Sequence, residues 1–213
     1  MRKLPVSLPA YRRIAQYLHY LNHLPDDSMQ YISATIIANA LGINDVVVRK
    51  DLSCVSGVGK PKVGYQTRDL ISAITKFMGH HEMYNAVVVG AGRLGQALIS
   101  YENLEKYGIR VIAAFDKNPK YVGTAFCNTA IYPDSDIACK CRSHGIQIGI
   151  ITVPGREAQA VCDALVAGGV QAIWNFAPAT LRIPEGIAVQ NEDMAASVAI
   201  LITQIETSRA QSA

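Results

Sequence analysis

Apolar positions along the 213-residue chain change their period near residue 80. Before that point they recur at helical spacing. Pro9 to Leu24 carries Ile14, Leu18 and Leu21 at intervals of four and three, which predicts a helix with one apolar face. Ser33 is placed to cap a second helix containing Ile36, Ile37, Ala40 and Leu41, closed by Gly42. Asn44 can cap a third, Asp45 to about Val55, with Val47, Val48 and Leu52. Gly57 to Tyr65 holds three glycines and one proline in nine residues and predicts a turn or hairpin tip; helical spacing resumes over Asp69 to Met78.

Beyond Gly79, short apolar runs bounded by Gly, Asp or Pro alternate with longer helical stretches. The runs are Ala86 to Val89, Val111 to Phe115, Ile146 to Ile151, Ala172 to Trp174 and Ile187 to Val189. Runs apolar on both faces suit strands of a parallel sheet covered by helices, so the second part is expected to be α/β and doubly wound. The last stretch, Asp193 to Arg209, predicts a helix with Met194, Val198, Leu201, Ile202 and Ile205 on a broad stripe. No strand follows it, so it packs on its own sheet or reaches a partner. The expected divisions are 1–80, 81–192 and 193–213.

Composition supports a packed chain: half the residues are apolar, 17% are charged and mean hydropathy is +0.15. These values exclude a disordered or collagen-like polypeptide. No apolar run approaches the ~18 to 20 residues of a bilayer span. Five cysteines without a CxxC pair, and no apolar leader after the first Met, point to a reducing cytoplasm. The net charge of +3 acquires meaning only when divided along the chain. Residues 1–84 carry ten Lys and Arg against six acids, and the remainder ten against eleven. The excess positive charge lies in the helical part, as expected for a polyanion partner, although ordinary solubilising charge gives the same balance.

Gly90-Ala91-Gly92-Arg93-Leu94-Gly95 follows the first strand of the α/β part and opens the helix predicted over Gln96 to Leu104. In such a loop one glycine makes the turn, one admits a pyrophosphate and one lets helix pack on strand. Asp116 ends the next strand, twenty-one residues beyond Gly95, where a carboxylate takes the adenosine ribose hydroxyls and repels a 2′-phosphate. NAD(H) is therefore the expected cofactor, although Lys117 works against that choice. The alternatives are a glycine turn that only packs and an Asp116 that only ends a strand. Thr152-Val153-Pro154 and Asn175-Phe176-Ala177 follow later strands and are candidate walls for ribose and nicotinamide, or ordinary turns. Beyond the first strand of the α/β part His144 is the only histidine, no proton relay is evident, and Cys139 and Cys141 have no neighbouring His. Neither a catalytic site nor a metal site is expected, which favours a sensor over a dehydrogenase.

The two short helices joined at Gly42 have the lengths of a helix-turn-helix. The second presents Arg49, Lys50 and Ser53 away from Val48 and Leu52, and Lys60 and Lys62 flank Pro61 at the following hairpin tip. Arg and Lys can pair with guanine edges or phosphates. The candidate DNA-contacting set is Ser33, Asp45, Val47, Arg49, Lys50, Ser53, Lys60, Lys62 and Tyr65; a solvated helical face is the competing explanation.

From about Leu4 to Ala199 the chain resembles the redox-sensing transcriptional repressors of the Rex family. The likeness rests on Ala40 to Gly42, Val48 to Ser53, Gly59 to Tyr65, Gly90 to Gly95, Ala113 to Asp116, Ile150 to Pro154, Asn175 to Pro178 and Pro184 to Gly186. It implies a homodimer with an N-terminal winged helix, a Rossmann-type domain and a C-terminal helix exchanged between subunits. It further implies binding of palindromic operator DNA, release by NADH and weak competition by NAD+. Tyr101 matches a family tyrosine near the nicotinamide and Asp193 the acid paired with it, though Tyr101 suits a helix surface equally well. Cys54-Val55-Ser56, Pro61-Lys62 and Met194 depart from the family's usual residues under the wing, in the wing and near the nicotinamide. The alternatives are an NAD-dependent oxidoreductase with a helical N-terminal domain, and a nucleotide- or CoA-binding scaffold with a protein-binding winged helix.

Overall fold

The structure is a computed structural model and describes residues 6–25, 29–61, 63–79 and 82–211. It divides into two compact units, Met1–Glu82 and Met83–Ala213.

The first unit runs α1 (Leu8–Asn22), β1 (Tyr31–Ile32), α2 (Ala34–Leu41), α3 (Asp45–Ser56), β2 (Tyr65–Gln66) and α4 (Thr67–Phe77). Local chemistry sets the ends. Ser33 Oγ accepts the Ile36 N–H at 3.2 Å, Gly42 closes α2 in the left-handed region at φ +64°, and Asn44 Oδ1 accepts the Val46 N–H at 2.9 Å. Only Ile43 separates Gly42 from that cap, so α2 and α3 form a tight helix-turn-helix. Ile14, Tyr17 and Leu18 of α1 meet Ile37 of α2, Val48 and Leu52 of α3, and Leu70 and Ile74 of α4 in one core. Behind α3 the chain doubles back. Lys60 and Gly64 exchange backbone hydrogen bonds at 2.8 Å, and β1 pairs antiparallel with β2, closing a wing. Lys62 lies outside the described residues.

The second unit runs β3 (Tyr84–Val89), α5 (Arg93–Ile99), α6 (Asn103–Lys106), β4 (Ile109–Asp116), β5 (Ala125–Phe126), β6 (Thr129–Pro133), a 3-10 turn (Asp134–Asp136), α7 (Ile137–Ser143), β7 (Ile148–Ile151), α8 (Gly155–Ala167), β8 (Ala172–Asn175), β9 (Ala188–Asn191) and α9 (Met194–Gln211). The sheet order is β5-β6-β4-β3-β7-β8-β9, parallel except for β5. Strand order reverses between β3 and β7, which opens a crevice at their carboxyl ends. Val87, Val89, Phe115, Ile151 and Ile173 pack against α7 and α8 through Ile137, Cys141, Ala158, Cys162 and Leu165. Ala86, Val88, Ala114 and Ile150 face the other side, where Leu98 and Ile99 of α5 cover them and Trp174 and Phe176 stay half-buried.

Two expectations need correcting. The helix predicted over Gln96–Leu104 is two helices: Ser100 Oγ bonds back to the Gln96 and Ala97 carbonyls, and the chain turns at Tyr101 before α6. The strand predicted from Ile146 starts at Ile148: the Ile146 N–H is spent on Cys141 O at the end of α7, and the Gln147 side-chain oxygen takes the Asn85 N–H. The β5–β6 hairpin and the two-residue strands β1 and β2 were not foreseen. The last helix does not pack on its own sheet: α9 is exposed from Met194 to Ala210, with Met194 at 64% and Leu201 at 56%. Among the described residues, no helix is long and apolar enough to cross a membrane.

Candidate functional site

At the crevice the glycine loop is shaped by three separate constraints. Gly90 has φ +102°, and a Cβ there would sit 2.9 Å from the Thr152 hydroxyl. A Cβ on Gly95 would be driven into the Gly90 carbonyl oxygen, so only glycine lets α5 start this close to β3. A Cβ on Gly92 would meet nothing within 4 Å. That open position is where a pyrophosphate can approach the backbone, so the loop's form fits the group that the sequence implies.

The loop is held rigid by its neighbours. Asp116 Oδ2 accepts the Ala91 N–H at 2.7 Å, and its Oδ1 accepts the Asn118 N–H at 2.7 Å. The Thr152 hydroxyl reaches the Gly90 and Val89 carbonyls at 2.8 and 3.0 Å, and Gln96 Nε2 donates to Ala91 O at 2.9 Å. A carboxylate has about four lone-pair sites, so Asp116 retains capacity for ribose hydroxyls.

The crevice has a volume of about 250 Å³ and brings together Gly90, Gly92, Asp116, Lys117, Thr152, Val153 and Pro154. Three charged side chains that the sequence did not single out line it too: Asp134, Arg156 and Glu157. Lys117 Nζ lies 2.7 Å from Glu157 Oε1, and Arg156 Nε approaches the same oxygen at 3.4 Å. The Lys117 ammonium, followed by Arg156, holds the Glu157 carboxyl below its ordinary range. Ala91, Arg93, Leu94 and Gly95 belong to the loop but not to this lining.

The remaining candidates have other local roles. Tyr101 lies in the turn between α5 and α6, 48% exposed. Asn175 is buried with both amide donors used and its oxygen engaged. Its Oδ1 accepts the Ala177 N–H at 3.0 Å, and its Nδ2 donates to Ala179 O at 3.0 Å and Asn191 Oδ1 at 2.9 Å. It builds the loop rather than offering a free polar wall. Phe176 packs against Trp174, ring centroids 4.8 Å apart, and Asp193 Oδ1 accepts the Ala196 N–H at 2.9 Å.

In the first unit, α3 carries two chemistries on opposite faces. Inward, the Asp51 carboxylate receives Arg13 Nε at 2.8 Å, Arg13 Nη2 at 2.9 Å and the Tyr17 hydroxyl at 2.9 Å, anchoring α3 to α1. Burial first, then the bond to Asp51, pushes the Tyr17 hydroxyl up to about 12, so it remains a donor at neutral pH. Outward, Arg49, Lys50 and Ser53 are exposed. Asp45 holds the Arg49 guanidinium at 2.6 Å, and Ser53 Oγ donates to Lys50 O at 2.7 Å. Ser33 is engaged as a helix cap, Val47 is half-buried, and Tyr65 lies beside Gly59 with its hydroxyl 3.4 Å from Gly57 O. Lys60 is exposed at the wing. Val46, 66% exposed, is an outward α3 residue that the charge pattern overlooked. A base-edge contact by Arg49 requires it to leave Asp45, an exposed i,i+4 pair that costs little to exchange. Arg49→Ala is expected to weaken operator binding by ~1 to 3 kcal/mol and relax sequence preference, measured by fluorescence anisotropy on specific and random duplexes. Equal losses on both would make it a phosphate contact.

A winged helix-turn-helix unit and a doubly wound sheet with a dinucleotide-type loop in one chain define a class: DNA-binding regulators that answer to a nucleotide. Residues 5–53 match the family described as "Putative DNA-binding protein N-terminus", and residues 81–179 match "CoA binding domain". The redox-sensing transcriptional repressor Rex of Porphyromonas gingivalis is 38% identical over 202 residues, 95% of this chain and 93% of its own. That of Treponema denticola is 36% identical over 208 residues, 98% and 99% of the two chains. Among solved structures, the Rex-family repressor RSP in complex with β-NAD+ and operator DNA aligns at TM-score 0.88 and 29% identity, covering 97% of this chain and 95% of that one. RSP in complex with β-NADH aligns at 0.88, covering 99% of both. The chain belongs to the Rex family of redox-sensing transcriptional repressors.

Proposed function

We propose that the protein is a homodimeric, cytoplasmic repressor that binds palindromic operator DNA through residues 1–80 and is released by NADH bound within residues 81–192. The observation that carries this reading is that the likeness spans the whole chain, both units together, to a repressor solved with NAD+ and operator DNA and with NADH. The exposed apolar side chains of α9, Met194, Val198, Leu201, Ile202 and Ile205 among them, support dimerisation through residues 193–213. A second copy of the chain supplies the cover that α9 lacks on its own sheet. It acts as a regulator and not as an enzyme.

NADH controls such a repressor only by binding its DNA-free and DNA-bound states with different affinity, since equal affinity shifts nothing. Docking two half-sites about one helical turn or a multiple apart makes the complex sensitive to a small rotation between subunits. Titration of NADH into a preformed complex with a labelled palindromic duplex tests this. Anisotropy is expected to fall with NADH and to hold with NAD+. Operator affinity unchanged at saturating NADH would overturn the reading. At the wing, Lys60→Ala should lower the slope of log K against log salt by ~1 if the side chain pairs with a phosphate.

A further inference from the structure

We propose that Glu157 keeps 2′-phosphorylated dinucleotides out of the crevice by occupying the cations that would otherwise receive the phosphate. The proposal rests on the reading of that crevice as an NAD(H) site.

The sequence alone sets Lys117 against Asp116: a lysine beside the ribose carboxylate is a natural partner for a 2′-phosphate. The structure resolves that conflict. Lys117 is turned to Glu157 at 2.7 Å, and Arg156 approaches the same Oε1 at 3.4 Å, so a single carboxylate engages both cations of the rim. Glu157 is itself well placed to stay. It stands in the first turn of α8, where the helix dipole favours an anion, and its N–H donates to Pro154 O at 2.9 Å. Its side chain is only 22% exposed, whereas those of Lys117 and Arg156 are 61% and 82% exposed. The anion is therefore the fixed member and the cations are drawn to it. With Asp116 and Asp134 on the same lining, the rim carries three carboxylates against two cations. An incoming phosphate dianion meets net negative charge and two cations already paired with a carboxylate. Replacing Glu157 with glutamine removes one charge, balances the rim and releases two cationic donors.

The test uses the full chain and compares NADH with NADPH by titration calorimetry at low and at physiological salt. Glu157→Gln should shift the ratio of NADPH to NADH affinity by about tenfold toward NADPH, the size of a charge-assisted hydrogen bond gained. Adding Lys117→Met should return most of that shift, and raised ionic strength should shrink it, because the donors are exposed. An unchanged ratio in a Glu157→Gln protein that still binds NADH would overturn the proposal and leave the NAD(H) reading standing. Failure of the unaltered protein to bind either dinucleotide would overturn both.

Discussion

Gly95→Ala should destabilise the α/β unit by about 3 kcal/mol or more, while Gly92→Asp should leave its melting temperature in place and abolish NADH binding. Both substitutions fall in one six-residue loop, so the contrast isolates packing from ligand approach. Alanine improves helix propensity over glycine by about 1 kcal/mol, and Gly95 is helical, so propensity alone favours the substitution. The methyl group would nevertheless be forced into the Gly90 carbonyl oxygen, which is backbone at the end of a central strand and cannot move aside. Overpacking a rigid site typically costs about 1 to 3 kcal/mol, and a clash with backbone lies at or above the top of that range. The clash therefore wins. Gly92 is different: its added Cβ touches nothing, so the folded state tolerates a side chain. An aspartate there places bulk and negative charge at the open face of the loop, where a pyrophosphate is expected to approach. Thermal unfolding and NADH titration of the two variants give the pair of readouts. Retained NADH binding by Gly92→Asp would show that the open face of the loop is not the phosphate site.

Arg13→Ala should cost the helical unit about 3 kcal/mol, measured by urea denaturation, and weaken operator binding beyond that loss. Asp51 is 5% exposed on the inner face of α3, and removing Arg13 strands its charge with only the Tyr17 hydroxyl. Stripping one partner from a buried ion pair typically costs about 3 to 5 kcal/mol. Asp51→Ala should be milder, about 2 kcal/mol, since the Arg13 side chain is 29% exposed and water can solvate it, leaving Tyr17 as the main orphan. The double variant should lose less than the sum, because the stranded charge disappears with its partner. Additive losses would mean that the pair contributes nothing as a pair. Because α3 also presents Arg49 and Lys50, a slackened anchor changes their orientation, so operator affinity should fall even in the fraction that remains folded.

The helix-turn-helix was legible because its punctuation is chemical: Ser33, Gly42 and Asn44 each perform at their position the role their side chains dictate. The glycine loop was legible for the same reason. What escaped lacked such marks. The break after α5 falls at Ser100-Tyr101, with no glycine or proline to announce it; a serine bonding back to its own helix ends the run. The β5–β6 hairpin turns at Cys127 and Asn128, both left-handed at φ 46° and 63°, without the glycine that usually signals that geometry. Glu157 could not be read from the sequence as part of the crevice because its partner Lys117 is forty residues away, and only the parallel crossing of the sheet brings them together. Asn175 misled in the opposite sense: a polar residue after a strand reads as a ligand wall, but its three hydrogen bonds are spent on its own loop and the neighbouring strand.

The dual engagement of Asp116 bears on how such a sensor can evolve. The carboxylate expected to take the ribose also receives the Ala91 N–H and so fixes the loop above it. Substitution there is expected to change ligand contact and loop shape together, because the same carboxylate is asked to do both. The rim side chains Lys117, Arg156 and Glu157 are differently placed: they hold one another, and among the described residues they make no hydrogen bond to the backbone of the glycine loop.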